Sequence, residues 1–348
     1  MFIELSEKWT LIPVIRGSIG GGTPLIVYGM YDTHSFGRLL TLGGEVHTYG
    51  SSEPGGVLWM KFPKWIDGNY MLSFQLWKQN IDSTSFDLDQ NEIGTLTTQW
   101  SGARVTFLLP IIKTKDNSVF QTGFDYFIKQ YKKQIYSPNL DYPPYYLDQY
   151  VSLYDSPTTT SNLRFKLLYD NVSIDKNLFD GLRVDSSLGG LFDKIIDKKS
   201  TLNFDTEVYY YKLFPKDFNL ATHLKFGFSG SKYFSNMTSL GGFDSIRGYK
   251  DGFMYGNKYG YLNLELRKIL YKTQLIHLQG VFFSDIGTAS LSSKDLVSNF
   301  EFSYGLGLKI LVPSVYRMIF RFDYAIGRHG NQGLAIGTAD FFDAYRPL

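Results

Sequence analysis

The stretch Asn299-Phe300-Glu301-Phe302-Ser303-Tyr304-Gly305-Leu306-Gly307-Leu308-Lys309-Ile310 decides the fold. Every even position is apolar, while Asn, Glu, Ser, Gly and Lys fill the odd ones. A strand sends successive side chains to opposite faces, so this run has one oily and one polar face. A helix brings together residues three and four apart and cannot use a period of two. The pattern recurs upstream and downstream. Met318, Phe320, Phe322, Tyr324 and Ile326 alternate with Arg317, Arg321 and Asp323. Leu220, Thr222, Leu224, Phe226 and Phe228 alternate with Asn219, His223, Lys225 and Gly227. Leu202, Phe204, Val208 and Tyr210 are set against Asn203, Asp205 and Glu207. Tyr70, Leu72, Phe74 and Leu76 are set against Met71, Ser73, Gln75 and Trp77.

Sixteen such runs are expected, at 24–32, 39–49, 56–66, 70–80, 101–111, 119–131, 146–155, 162–173, 181–192, 201–213, 218–229, 259–269, 274–286, 298–311, 316–327 and 332–342. Each is close to the roughly ten residues of a tilted strand crossing a bilayer. The fold class is therefore all-β, a sixteen-stranded antiparallel transmembrane barrel, which leaves no open sheet edge in lipid. A barrel of that size is too wide for side chains to fill. Its lumen must be polar or plugged, with the oily faces turned outward. Residues 1–22 read as a lead-in and 23–348 as one barrel domain.

Composition agrees. The chain of 348 residues contains 26 Tyr, 28 Phe and 5 Trp but no apolar block long enough for a spanning helix. The absence of cysteine excludes a disulfide framework and thiolate metal sites. Lys and Arg number 35 against 33 Asp and Glu, so no strong net charge points to nucleic acid. Met1-Phe2-Ile3-Glu4-Leu5 lacks the basic and apolar regions of a leader, as expected of a processed or truncated reading frame. Catalysis finds no support: there is no Gly-x-Ser-x-Gly elbow and no His-Glu-x-x-His, and Gly20-Gly21-Gly22 lacks the Lys-Ser/Thr of a phosphate loop. His223 and His277 fall on polar strand faces and read as lumen-lining residues. No cofactor and no metal is expected.

The longest Gly- and aromatic-rich connection, 230–258, joins the eleventh and twelfth expected strands. Segments of that length without regular structure are usually functional. It contains Gly241-Gly242-Phe243-Asp244-Ser245-Ile246-Arg247-Gly248-Tyr249. Alternation in the next strand puts Glu265 on one face with Asn263 and Arg267. In the strand after that, His277, Gln279 and Asp285 share a parity. Glu265 and Asp285 are thus expected on the lumen faces of adjacent strands.

Ser245-Ile246-Arg247-Gly248-Tyr249 resembles the Val-Arg-Gly-Phe/Tyr loop motif of the BamA/TamA superfamily, the bacterial surface antigen family. Four more landmarks resemble it in order. They are Tyr31–Gly37 as the first hairpin, Gly260–Arg267 as the strand after the loop, Phe283-Ser284-Asp285-Ile286-Gly287 as a strand end, and Gln332–Phe342 as a C-terminal β-signal. The resemblance spans about residues 9–342. It implies an integral barrel of a Gram-negative outer membrane, surrounded by lipid and lipopolysaccharide, that inserts or exports client polypeptides. A two-partner secretion pore and a non-conducting scaffold are the alternatives. Two departures stand out. No POTRA domain fits within residues 1–22, so periplasmic or membrane accessory proteins are expected to supply that role, and Asp343–Leu348 extends past Phe342. The resemblance further implies that Arg247 folds inward against Asp285 with Glu265 beside it, while Gly241, Gly242 and Gly248 permit the loop's backbone and Tyr249 completes the motif. It places a lateral gate between 24–32 and 332–342, where Gly29, Gly333 and Gly337 offer little packing.

Overall fold

A computed structural model describes residues 10–19, 25–37, 40–50, 53–65, 70–86, 92–113, 118–138, 159–175, 178–193, 200–231, 236–242, 245–250, 252–314 and 318–337. Sixteen antiparallel strands form one barrel sheet. They are β1 (Leu11–Ile19), β2 (Leu25–Ser35), β3 (Leu40–Tyr49), β4 (Gly55–Trp65), β5 (Tyr70–Phe86), β6 (Glu92–Lys113), β7 (Ser118–Pro138) and β8 (Thr159–Asp170). Then follow β9 (Leu178–Asp193), β10 (Ser200–Phe214), β11 (Phe218–Ser229), β12 (Lys258–Lys272), β13 (His277–Ser290), β14 (Glu301–Leu311), β15 (Ile319–Gly327) and β16 (Gln332–Gly337). Each strand pairs with the next, and β1 meets β16 to close the circle.

The N-terminal end of the chain revises the sequence expectation. β1 lies inside the expected lead-in of residues 1–22, so the boundary at 23 is too late. Leu11-Ile12-Pro13-Val14-Ile15 is a continuous apolar run broken by proline, which hides the alternation. Proline has no N–H for a ladder and belongs at edges. Pro13 indeed lies outside the four described seam pairs, Arg16–Gly337, Gly17–Ile336, Ser18–Ala335 and Ile19–Leu334. The strand expected at 146–155 lies outside the described residues, and β7 pairs directly with β8. The remaining expected strands lie on observed ones.

β6 and β7, at 22 and 21 residues, exceed the expected length. Near 3.4 Å per residue they span about twice a ~30 Å hydrocarbon core. Their extensions rise at the barrel end from which the 230–257 segment departs. Thr95, Thr97, Thr98 and Gln99 dominate there, and so polar a stretch carries little strand signal.

The wall is inside-out relative to a soluble protein. Phe282, Phe302, Tyr304, Phe322 and Tyr324 are exposed on the outer face, and Leu306 is 67% exposed. The buried residues of the same strands include Gln279, Asp285, Ser303, Lys309, Arg321 and Asp323. Phe300 and Phe302, which a soluble core would hide, face out. The lumen face carries cross-strand ion pairs. Asp125 of β7 accepts from Arg104 Nε of β6 at 2.6 Å and from Arg164 of β8, whose other nitrogen reaches Asp205 of β10 at 2.7 Å. At the opposite end from the 230–257 segment the lumen is apolar. There Phe179, Tyr211, Ala221, Leu311 and Ile319 are fully buried beneath Val172, Ile174 and Leu178 of the β8–β9 turn.

Leu266, at mid-strand on the outer face of β12, tests this orientation. Leu266→Arg is expected to destabilise the barrel by about 2–4 kcal/mol, read from urea unfolding in lipid vesicles. A loss below ~1 kcal/mol would mean that this face does not meet lipid.

Candidate functional site

The segment 230–257 leaves β11, forms the short pair Thr238–Leu240 with Met254–Gly256, and folds against the inner wall of β12–β15. Its central residues are buried. Leu240, Ile246 and Tyr249 pack with Tyr261 of β12, and Phe253, Met254 and Tyr259 lie around them. Ordering a chain costs about 1–2 kcal/mol per residue, so one ion pair could not hold so long a segment inside. Several kinds of contact act together.

The backbone is folded by its own small residues. Ser245 Oγ accepts the Gly241 N–H at 2.8 Å and lies 3.0 Å from the Gly241 carbonyl. The Gly242 N–H donates to the Tyr249 carbonyl at 2.9 Å. Gly248 has φ +88°, a region that side chains with a Cβ avoid, and a Cβ there would lie 3.2 Å from that of Ala325. Asn263 Nδ2 of β12 donates to the Ser245 carbonyl at 2.6 Å.

These contacts aim Arg247 at the wall. Its guanidinium lies over the Phe283 ring, 3.5 Å from the centroid. Nε and one terminal nitrogen donate to the two oxygens of Asp285 at 2.8 Å each, the forked geometry that suits a carboxylate. The Arg247 backbone N–H also donates to Asp285, at 3.0 Å. The other terminal nitrogen donates to Glu265 Oε1 at 2.7 Å and lies 3.5 Å from Asp323. Glu265 and Asp285 are fully buried. The second oxygen of Glu265 accepts from Lys309 Nζ at 2.6 Å and from Arg267 Nε at 2.7 Å. Arg321 stands 3.5 Å from Asp323. Four cations and three carboxylates from the loop, β12, β13, β14 and β15 thus form one buried network. A buried charge is tolerable only when so paired.

Tyr249 makes the second anchor. Its hydroxyl lies 2.8 Å from both Glu301 Oε2 and the Phe302 carbonyl, and accepts the Arg328 N–H at 2.8 Å. Its ring fills space left by Gly327, where a Cβ would fall 2.7 Å from the ring.

The structure therefore brings Arg247, Gly248, Tyr249, Gly241, Gly242, Glu265 and Asp285 together. It separates the residues expected at the gate. Gly29 lies in β2, one strand from the seam, opposite Val14 and Glu45. Gly333 pairs with Ala325 on the β15 side. Gly337 alone of the three stands in the described seam, opposite Arg16. The displacement follows from β1: once Leu11–Ile19 is a strand, 24–32 cannot be the first. Sequence reasoning did not assign Phe283, Asp323, Lys309 and Arg321 to the site. The parities of β14 and β15 carried a signal, because Lys309, Arg321 and Asp323 fall on polar faces within two strands of Asp285. Phe283 was marked by being an aromatic on a polar parity.

Residues 55–341 match the family model described as the Omp85 superfamily domain. No curated protein sequence matches the chain. Among solved structures, BamA from Haemophilus ducreyi lacking POTRA domains 1–3 is similar, with a TM-score of 0.60 at 16% identity over 96% of this chain and 71% of that one. CdiB from Escherichia coli gives 0.64 at 14% identity, over 97% of this chain and 64% of that one. CdiB from Acinetobacter baumannii gives 0.63 at 12% identity, over 97% and 61%. The chain thus spans less than two thirds of either CdiB chain. At these identities the likeness shows a shared fold.

Removing one partner of a buried pair typically costs about 3–5 kcal/mol. Arg247→Ala is expected to lose that much in vesicle unfolding and to open the loop to protease. Arg247→Lys, which keeps the charge without the fork or the stacking, is expected to recover less than half of it. Full recovery by lysine would reduce the site to simple charge pairing.

Proposed function

Because the chain belongs to the Omp85 superfamily, whose barrels serve protein insertion and secretion in the outer membrane, we propose that it inserts or exports other polypeptides through its β1–β16 seam. The observation that carries this reading is Arg247 held by carboxylates from β12, β13 and β15. That network makes the wall beside the seam one body and stops short of β16. Motion is then left to β16, a six-residue strand in which Gly333, Ala335 and Gly337 alternate with Leu334 and Ile336, and to β1 with Pro13. Small residues pack weakly against neighbours, and exposed ladder groups can template an incoming strand. The lumen is the less favoured route, since the folded loop and the apolar cluster around Phe179 occupy its β9–β15 side. In this reading Arg247, Gly248, Tyr249, Gly241, Gly242, Glu265 and Asp285 lock the loop, and the gate is centred on Ser18 and Ala335 rather than on Gly29. The chemistry is non-covalent throughout. Clients are extended polypeptides able to pair with a strand edge, and periplasmic or membrane accessory proteins deliver them.

A seam disulfide tests the route in a chain without native cysteine. Ser18→Cys combined with Ala335→Cys places two thiols on directly paired residues, within disulfide reach. Oxidation is expected to abolish client insertion in proteoliposomes, and dithiothreitol to restore it. Undiminished insertion by the oxidised barrel would discard the seam in favour of the lumen.

A further inference from the structure

We propose that the outer wall of β1–β3 carries a binding groove for an aminophospholipid, with its ammonium at Asp32 and an acyl chain along the wall. The groove is shallow and open to the bilayer side, with a volume of about 380 Å³. Leu11, Met30 and Leu42, all exposed on the outer face, form its apolar lining. Gly44 makes the depression. Its neighbour across the β3–β4 ladder is Leu58, and a Cβ on Gly44 would point at that side chain from 2.7 Å. Phe36 forms the lip. It is 83% exposed at the tip of the β2–β3 hairpin, and its φ of +57° is rare for an aromatic residue.

Charge chooses the occupant. Asp32 is the one charged residue of the described lining. Its Oδ1 accepts the His34 N–H at 3.0 Å, which fixes the carboxylate at the groove's polar end. A carboxylate beside an apolar trough favours a headgroup that brings an N–H donor and a positive charge next to an acyl chain. Phosphatidylethanolamine has both. Phosphatidylcholine has the charge but no N–H, and phosphatidylglycerol has neither. The inference needs only that this wall faces lipid. It does not rest on transport through the seam.

The probe is a mixture of phosphatidylethanolamine, phosphatidylcholine and phosphatidylglycerol with identical acyl chains, offered in equal amounts to the detergent-solubilised chain. Native mass spectrometry then reads the lipid retained. Phosphatidylethanolamine is expected about threefold above phosphatidylglycerol, the ratio that an exposed ion pair of ~0.6 kcal/mol supplies. Asp32→Asn keeps an acceptor for His34 and is expected to erase that preference. Gly44→Phe fills the depression and is expected to erase the same preference, with heat-modifiable mobility showing that the barrel still closes. The unaltered protein gives an arm free of folding effects: successive N-methylation of the ethanolamine is expected to weaken retention stepwise. Equal retention of the three lipids, a preference that survives Asp32→Asn or Gly44→Phe, or indifference to N-methylation would each overturn the site.

Discussion

The fork between Arg247 and Asp285 is the constraint on which the interior depends. It is possible only because the sheet is turned inside-out. In a soluble barrel the lumen face would be oily, and a guanidinium there would be stranded. Here the outer face carries most of the exposed apolar side chains, and the inner face has places for carboxylates. Arginine suits the position for reasons lysine does not share. It offers nitrogens in three directions, so it reaches β12, β13 and β15 at once, and its flat face stacks on Phe283. Gly305 stands opposite Phe283 and leaves room for the ring, since a Cβ there would run into it.

The wide lumen sets a second problem, because sixteen strands enclose more space than wall side chains can fill. The structure meets it in layers. Toward one end the 230–257 segment lays its apolar residues over β12 and its arginine into the carboxylates. Toward the other, the β8–β9 turn caps Phe179, Tyr211 and Leu311, and the Asn219 side chain donates to the Phe179 carbonyl at 2.9 Å. On the wall of β6–β10, alternating Arg and Asp residues pair across strands. Charge, hydrogen bonding and apolar packing each occupy the region where the strand parity supplies the right side chains.

How much of this was legible in the sequence depended on contrast between neighbouring residues. β12 to β15 alternate strongly, so their extents and inner faces could be read directly. The carboxylates Glu265 and Asp285 followed from parity, and the arginine from its motif. β1 was hidden because Ile12, Val14 and Ile15 mix inner and outer positions around Pro13. The upper halves of β5–β7 were hidden for the opposite reason: beyond the bilayer both faces are wet, and Thr, Ser and Gln give no period. The outward groove at Gly44 left no trace either, since a depression arises from three strands whose register only the fold supplies. What sequence could not provide was the pairing that turned separate polar positions on β14 and β15 into partners of Arg247.

The missed first strand changes the mechanical argument as well as the count. Were 24–32 the first strand, the closing pair would bring Ile26, Tyr28 and Met30, large side chains exposed on the outer face, to the junction. With Leu11–Ile19 in that place, the closing pair joins a proline-bearing strand to one of small residues. Cross-strand side-chain contacts supply much of a sheet's strength, roughly 0.2–1 kcal/mol per good pair. Two of the four described seam pairs, Arg16–Gly337 and Gly17–Ile336, have a glycine on one side, while Ile19 stands opposite Leu334. The neighbouring wall has the reverse character: the charges of β12–β15 cannot be separated without exposing several of them to a low-dielectric interior. On the proposed seam route, a wall tied by these charges beside a strand of small residues leaves β16 as the element that moves.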